Sequence, residues 1–235
     1  MHLQFKESTV RVLIETLRLT QDGNRVQLEE IAQRARATES FARQVLASLM
    51  EESVDGWISL RTELRIQLAL EIARVGQLRE AARALTWQEF ENFVAKCLEE
   101  ASFRTEKNVR VRGDGRRWQI DVIGLRGELA LAIDCKHWNT PGSPSRFKTV
   151  ADHQRVAASH LLTALREKIG RNNELRALPM LLTLSEPPSR FAEGAVLLSV
   201  EKLPSFLSEV NPYDESLPFL TSPLSVVESP MSQSN

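Results

Sequence analysis

Two β-prone runs, Trp118 to Ile123 and Glu128 to Lys136, are separated only by Gly124-Leu125-Arg126-Gly127, and this pairing constrains the 235-residue chain more than any other segment. The connector has the length and glycine content of a hairpin turn, so the two runs are expected to lie antiparallel. Successive side chains on a strand face opposite ways. Asp134 and Lys136 therefore share one face about 7 Å apart, while Ile133 and Cys135 face the other. Antiparallel pairing brings Asp121 beside Asp134. Two carboxylates so placed can hold a hard cation such as Mg²⁺, with Mn²⁺ as a substitute, and leave room for water and a phosphate oxygen. A lysine one step further can orient the attacking water or neutralise charge developing on a phosphate. The plainer reading is an ordinary Asp/Lys pair on an exposed strand face, and an Asp-x-Lys alone would favour it.

The segment upstream shifts that balance. Leu85 to Leu98 reads as an amphipathic helix opened by a capping box, with Thr86 as N-cap and Glu89 as its reciprocal partner. Phe90, Val94, Cys97, Leu98 and Ala101 form its apolar stripe, and Glu91 sits at the edge. A helix bearing Phe-Glu, then Phe103, then a strand pair bearing Asp and Asp-x-Lys, resembles the PD-(D/E)xK nuclease superfamily, in particular its Mrr-like and archaeal resolvase-like branches. The resemblance covers roughly residues 85–184. It implies that Glu91, Asp121 and Asp134 support a Mg²⁺ ion, joined by the carbonyl of Cys135. It further implies that Lys136 positions the water, and that Gln154 on the following helix stands near the site. The pattern departs from the family in having Ile120 before Asp121, where proline is usual, and Asp134 for the commoner glutamate. Ile-Asp-Cys-Lys-His-Trp, residues 133–138, is also similar to archaeal proteins in which such a domain follows a winged helix.

The N-terminal part carries its own pattern. Glu7 to Leu19 has apolar residues at helical spacing, broken at Asp22-Gly23-Asn24. A second helix is expected from about Val26 to Ala35, and a third from the N-cap Thr38, burying Phe41, Val45, Leu46, Leu49 and Met50. Asp55-Gly56 then marks a turn before Trp57 to Leu60, a short wing strand, and Arg61 to Val75 forms a fourth helix. This order is similar to a winged helix-turn-helix with Thr38 to Glu51 as recognition helix. Its charge argues against a strong duplex reader. Residues 1–80 hold 11 Lys and Arg against 12 Asp and Glu, and the third helix offers Arg43 beside Glu39, Glu51 and Glu52. A protein-interaction module is an equal reading.

The cationic charge lies further along: residues 81–180 hold 17 Lys and Arg against 12 Asp and Glu, whereas residues 181–235 hold 2 against 7. Arg110, Arg112, Arg116 and Arg117 flank Gly113-Asp114-Gly115 just before the Asp121 strand, making a cationic hairpin suited to DNA contact. His137 and Trp138 follow Lys136 at the mouth of the site, where one can touch a phosphate and the other stack on a base; partial core packing is the plainer reading for Trp138. His153 reads as structural. Cys97 and Cys135, both expected on core-facing positions, point to a reducing cytoplasm and not to a disulfide or zinc site. No apolar run reaches the ~18 residues of a membrane helix.

These readings combine into an α/β fold: a restriction-endonuclease-like mixed sheet flanked by helices, preceded by an all-α winged helix-turn-helix domain. The expected domains are 1–80, 81–210, and a mobile acidic Ser/Pro tail from 211 to 235, with the boundary near Gly76 to Ala84. Pro141 to Ser145 is expected as an irregular loop by the site, before a helix from about Phe147 to Ile169. Strands follow at Leu178 to Leu184 and Ala195 to Val200, and a short helix at Leu203 to Val210. The function expected is Mg²⁺-dependent DNA endonuclease, of restriction or repair type. The alternatives are a structure-selective four-way-junction resolvase acting as a homodimer, and a non-catalytic DNA-binding regulator.

Overall fold

In the computed structural model the described residues are 7–50, 56–138, 142–169 and 174–221. The N-terminal part folds as α1 (Glu7–Leu19), β1 (Val26–Gln27), α2 (Leu28–Ala35), α3 (Glu39–Met50), β2 (Trp57–Ile58) and α4 (Thr62–Arg74). The helix expected from Val26 loses its first two residues to β1. Val26 is β-branched and pairs across from Ile58, and burying both favours a strand over a helix start. Thr38 caps α3 as expected, its Oγ1 accepting from the Phe41 amide at 3.2 Å. Met50 (its side chain), Glu51, Glu52 and Asp55 lie outside the described residues.

The boundary expected near Gly76 to Ala84 is instead a helix, α5 (Leu78–Arg83), with Ala81 and Ala82 fully buried. Small alanine side chains let it lie close against α4 and the segment 200–202. One apolar core then runs from α1 through α5 into α6 (Trp87–Glu100) and the sheet beyond. The expected 80/81 division therefore cuts a packed helix. Arg65 of α4, 1% exposed, fastens this junction. Its guanidinium donates to both Glu89 carboxylate oxygens (2.6 and 3.1 Å), to the carbonyls of Leu17 (2.7 Å) and Ala84 (2.9 Å), and to Thr20 Oγ1 (2.8 Å). Glu89 also completes the capping box, accepting from the Thr86 amide at 2.8 Å while its own amide donates to Thr86 Oγ1 at 3.2 Å.

The remainder is β3 (Arg104–Gly113), β4 (Arg116–Arg126), β5 (Leu129–Lys136), α7 (Pro144–Ile169), β6 (Arg176–Thr183), β7 (Phe191–Ala192), β8 (Ala195–Ser199), α8 (Leu203–Glu209) and β9 (Leu220–Thr221). The strand order is β3-β4-β5-β6-β8-β7, with β9 added to β6. β3, β4 and β5 are antiparallel neighbours, whereas β5, β6 and β8 run parallel, so the sheet is mixed, as expected. The long helix α7 makes the crossover that a parallel pair requires. The β4–β5 turn is tighter than the expected four residues: Arg126 already pairs with Leu129, leaving Gly127 (φ 58°) and Glu128 to turn the chain.

Leu129, Leu131 and Ile133 pack in the core shared with α6, while Ala130 and Ala132 meet Ala157, Ala158 and Leu161 of α7. Two expectations are corrected here. Pro144 and Ser145 belong to the first turn of α7, where proline's fixed φ suits a helix start; Pro141 of the expected loop lies outside the described residues. The tail expected from 211 is held down as far as Thr221, because Leu217 is buried and Leu220 pairs with Ala177 on β6. Residues 222–235 lie outside the described residues. Among the described residues no helix is long and apolar enough to cross a membrane.

Candidate active site

The ladder between β4 and β5 pairs Val122 with Ile133, so the next step sets Asp121 across from Asp134. There the ladder opens, and Asp121 Oδ2 accepts the Cys135 amide at 2.8 Å. A side chain thus replaces a backbone acceptor, which fixes the Asp121 carboxylate at the end of β5. Asp134 and Lys136 share the face of β5 that also carries Ala130 and Ala132. Lys136 Nζ stands 3.0 Å from Asp134 Oδ1 and 2.7 Å from Oδ2. Oδ2 is buried, and among the described residues the Lys136 ammonium is the charge that compensates it.

Glu91 enters from α6. The capping box sets the phase of that helix, Phe90, Phe93 and Val94 bury its apolar stripe, and Glu91 is carried inward with them at 5% exposure. Burial, then the neighbouring Asp121 and Asp134 charges, push its carboxyl up to about 7, while a hydrogen bond from Asn108 pulls the other way. Burial and the Asp134 charge likewise raise Asp121 to about 6, against the opposing pull of the Cys135 amide and Lys136. Carboxylates that raise one another in this way are short of positive charge. Cys135 shares the environment: burial and the same three carboxylates push its thiol well up.

Hard oxygen donors facing one another fit a divalent cation by chemistry. Their arrangement is not closed around one, since among the described residues no three His, Cys, Asp or Glu groups converge closely enough to hold a metal ion. The reason is local. Lys136 occupies Asp134, the Cys135 amide occupies one Asp121 oxygen, and Glu91 lies within charge range of both with no ion pair of its own among the described residues.

Gln154, on α7, is 1% exposed and donates to the Ala132 carbonyl at 2.8 Å, while its Oε1 is buried without a partner. His137 is turned away from the cleft. Its Nε2 lies 3.0 Å from the Ala82 carbonyl and its ring meets Phe90 edge-on at 5.4 Å, so it ties Lys136's strand to α5. Trp138 packs on Phe147 at 5.2 Å, with the Arg146 guanidinium 3.8 Å above its ring. Arg43 is held by Glu39 at 2.7 Å.

On the β3–β4 hairpin, Arg110, Arg112 and Arg117 are exposed and, among the described residues, their side chains make no hydrogen bond or ion pair. Arg116 differs, lying 3.5 Å above the ring of Trp118. His153 and His160 of α7 also stack on Trp118, at 4.8 and 5.6 Å, and His160 reaches Asp114 at 2.9 Å. This platform docks the hairpin on α7, and the His160 ring lies so close to Gly113 that any Cβ there would collide with it. Burial, then Arg116 and Lys136, lower the affinity of His153 for a proton.

The sequence reading passed over Asn108. It stands across from Asp121 on β3 in a left-handed conformation (φ 52°), interrupts the ladder, and bonds Glu91. An asparagine inside a strand of Lys, Arg and Val was its one signal, since asparagine tolerates that conformation and valine does not.

Comparison with known proteins adds three observations. Residues 82–164 match the model of a restriction endonuclease family, Mrr_cat. An uncharacterized protein of Archaeoglobus fulgidus is 27% identical over 136 residues, which cover 58% of this chain and all of the relative. Among solved structures, a protein of unknown function, AF1548, matches 48% of this chain and 58% of its own at 23% identity and a TM-score of 0.33. VC1899 from Vibrio cholerae matches 88% of this chain and 56% of its own at 12% identity and a TM-score of 0.39. The chain spans less than two thirds of either solved structure.

Proposed function

We propose, from the match of residues 82–164 to a restriction endonuclease family model and from the resemblance of the Asp121, Asp134 and Lys136 pattern to PD-(D/E)xK nucleases, that the chain is a metal-dependent DNA endonuclease that hydrolyses phosphodiester bonds. The observation that carries this reading is Asp121 facing Asp134 at the end of β5, with Lys136 on the same face and Glu91 buried within charge range. Asp121 and Asp134 would hold Mg²⁺ or Mn²⁺, with Glu91 in support and the Cys135 carbonyl completing the set. The ion would supply charge neutralisation for the phosphate and an acidified water.

The chain's own residues account for the rest. The Cys135 amide holds Asp121 in one orientation. Lys136 is held beside Asp134 and, with a cation on that carboxylate, would be placed to orient water or to neutralise a developing oxyanion. Gln154, anchored on the Ala132 carbonyl, fills the space behind the two. The unpaired Arg110, Arg112 and Arg117 are the DNA-binding cations, with Arg116 and Trp138 at the edges of the surface. The N-terminal part acts as a winged helix-turn-helix that recruits or braces more than it reads bases, because its Arg43 is already neutralised. Unpaired thiols at Cys97 and Cys135 suit an intracellular, reducing location and a restriction or repair role there.

The test is cleavage of supercoiled plasmid, linear duplex, single-stranded and four-way-junction DNA with Mg²⁺ or Mn²⁺, beside Asp134→Ala and Lys136→Ala. Cutting that disappears in both variants supports the reading, and a junction preference together with dimerisation would assign it to the resolvase class. The lack of three converging ligands among the described residues favours one other reading, a DNA-binding protein without hydrolysis. DNA binding with no cutting of any substrate would select it.

A further inference from the structure

Away from the carboxylates, a groove of about 180 Å³ lies between the edge strand β3 and the C-terminal turns of α7. Its floor is apolar, built from Ile123 on β4 and Leu161 and Leu165 on α7, which the core already holds in place. Its rim is cationic. Arg110, Arg112 and Lys168 line it, all three exposed and, among the described residues, without a hydrogen bond or ion pair. Glu106 is the one carboxylate on its edge.

These two halves select a ligand with two matching halves. Unpaired cations on a rigid strand attract phosphates. An apolar floor offers nothing to paired duplex, whose bases are stacked on one another. It does offer a surface to a base that has left the stack. Small and peptide ligands fit less well, because the cations are spaced along an edge strand instead of converging on one point. The groove is also near the chemistry. Arg110 pairs across from Gln119, two residues before Asp121, which is about 7 Å along β4.

We propose that this groove holds an unpaired nucleotide of the strand being cut, so that the preferred substrate is DNA in which duplex adjoins a single-stranded segment. The proposal rests on the nuclease reading for its relation to cutting, yet binding alone can test it. In EDTA, fluorescence anisotropy would compare a forked duplex, a fully paired duplex and a single strand of equal length. Forked DNA is expected to bind about tenfold tighter than paired duplex at the same salt. Arg112→Glu and Ala164→Glu, the second placing a carboxylate against the groove wall, should bring the two within about twofold. Lys136→Ala should abolish cutting and keep the preference. Equal binding of forked and paired DNA by the unaltered protein, or a preference that survives Arg112→Glu, would overturn the proposal. Should Ala164→Glu melt early, the exposed Arg112 decides alone. A retained fork preference in a protein that cuts nothing would uphold the groove and refute the nuclease reading.

Discussion

The arginines of the two halves of this protein are spent in opposite ways. In α1, α2 and α3, Arg11, Arg18, Arg34 and Arg43 each meet a glutamate three or four residues earlier, at 3.4, 2.7, 3.2 and 2.7 Å. On the β3–β4 hairpin, Arg110, Arg112 and Arg117 meet none among the described residues. Helical spacing puts such pairs in reach and each contributes only a few tenths of a kcal/mol. Their larger consequence is electrostatic, because a surface whose cations are already matched attracts a polyanion weakly. Arg25, Arg36 and Arg61 are not matched by a carboxylate among the described residues: Arg25 lies 5.7 Å over the Trp57 ring, and the other two sit at helix ends. The difference is the ground on which DNA contact is proposed for the hairpin and a supporting role for the N-terminal helices.

The largest effect that tests this division is at the carboxylates. Lys136→Ala and Asp134→Ala should each lower cleavage by about 10²- to 10⁴-fold while leaving DNA affinity nearly unchanged, since the chemistry and the hairpin cations are separate. Single-turnover cleavage beside anisotropy reads both. A parallel loss of affinity would mean that the two surfaces are one.

Arg65→Met comes next, and it concerns the support. Removing a guanidinium whose every N–H is engaged leaves Glu89 buried without its partner, which costs roughly 3–5 kcal/mol and lowers Tm by about 10 °C. Thermal melting checks it. If the N-terminal helices were an independently tethered reader, the change would melt them alone and leave the 82–164 region's transition in place.

The arginine contrast itself predicts a smaller, graded effect. Arg110→Ala and Arg117→Ala should each reduce the salt dependence of DNA binding by about one unit of slope, whereas Arg34→Ala and Arg43→Ala should leave it unchanged. Affinity measured from low to moderate salt decides. An equal change in all four variants would erase the distinction between the halves.

What could be read without coordinates follows the range of each interaction. The capping box at Thr86 and Glu89 and the facing of Asp121 with Asp134 depend on neighbours in sequence or on one tight turn, and both are visible in the residue pattern. Arg65 and Glu89 are 24 residues apart, and His137 and Ala82 are 55 apart. Such partners leave no periodic trace, so His137 reads as a phosphate ligand until its ring is found on the Ala82 carbonyl. The segment 78–83 failed for a related reason. A domain boundary is expected near Gly76 to Ala84, and only the packing of Ala81 and Ala82 in the core beside α4 makes the segment part of one body. Asn108 left only the faint mark of an asparagine in a strand, and its bond to Glu91, 17 residues away on α6, leaves no periodic trace.

The smallest effect is the one that ties the site to pH. Glu91 and Asp121 titrate near 7 and 6 when folded, against about 4.3 and 3.9 in an unfolded chain. The folded state therefore binds more protons between those limits. Its advantage from these groups is complete below about pH 4 and is lost as pH rises through 6 and 7. That is opposite to the behaviour of a carboxylate held by a cation. In EDTA, Glu91→Gln should flatten part of the fall in Tm between pH 5 and pH 8, an effect of a few degrees at about 2–4 °C per kcal/mol. Mg²⁺ should raise the Tm of the unaltered protein at pH 8 and not at pH 5, because protons and cation compete for the same oxygens. Arg43→Ala, remote from the carboxylates on α3, should change none of this. A pH slope that is the same with and without Glu91, and indifferent to Mg²⁺, would remove the physical ground for assigning the cation to this cleft.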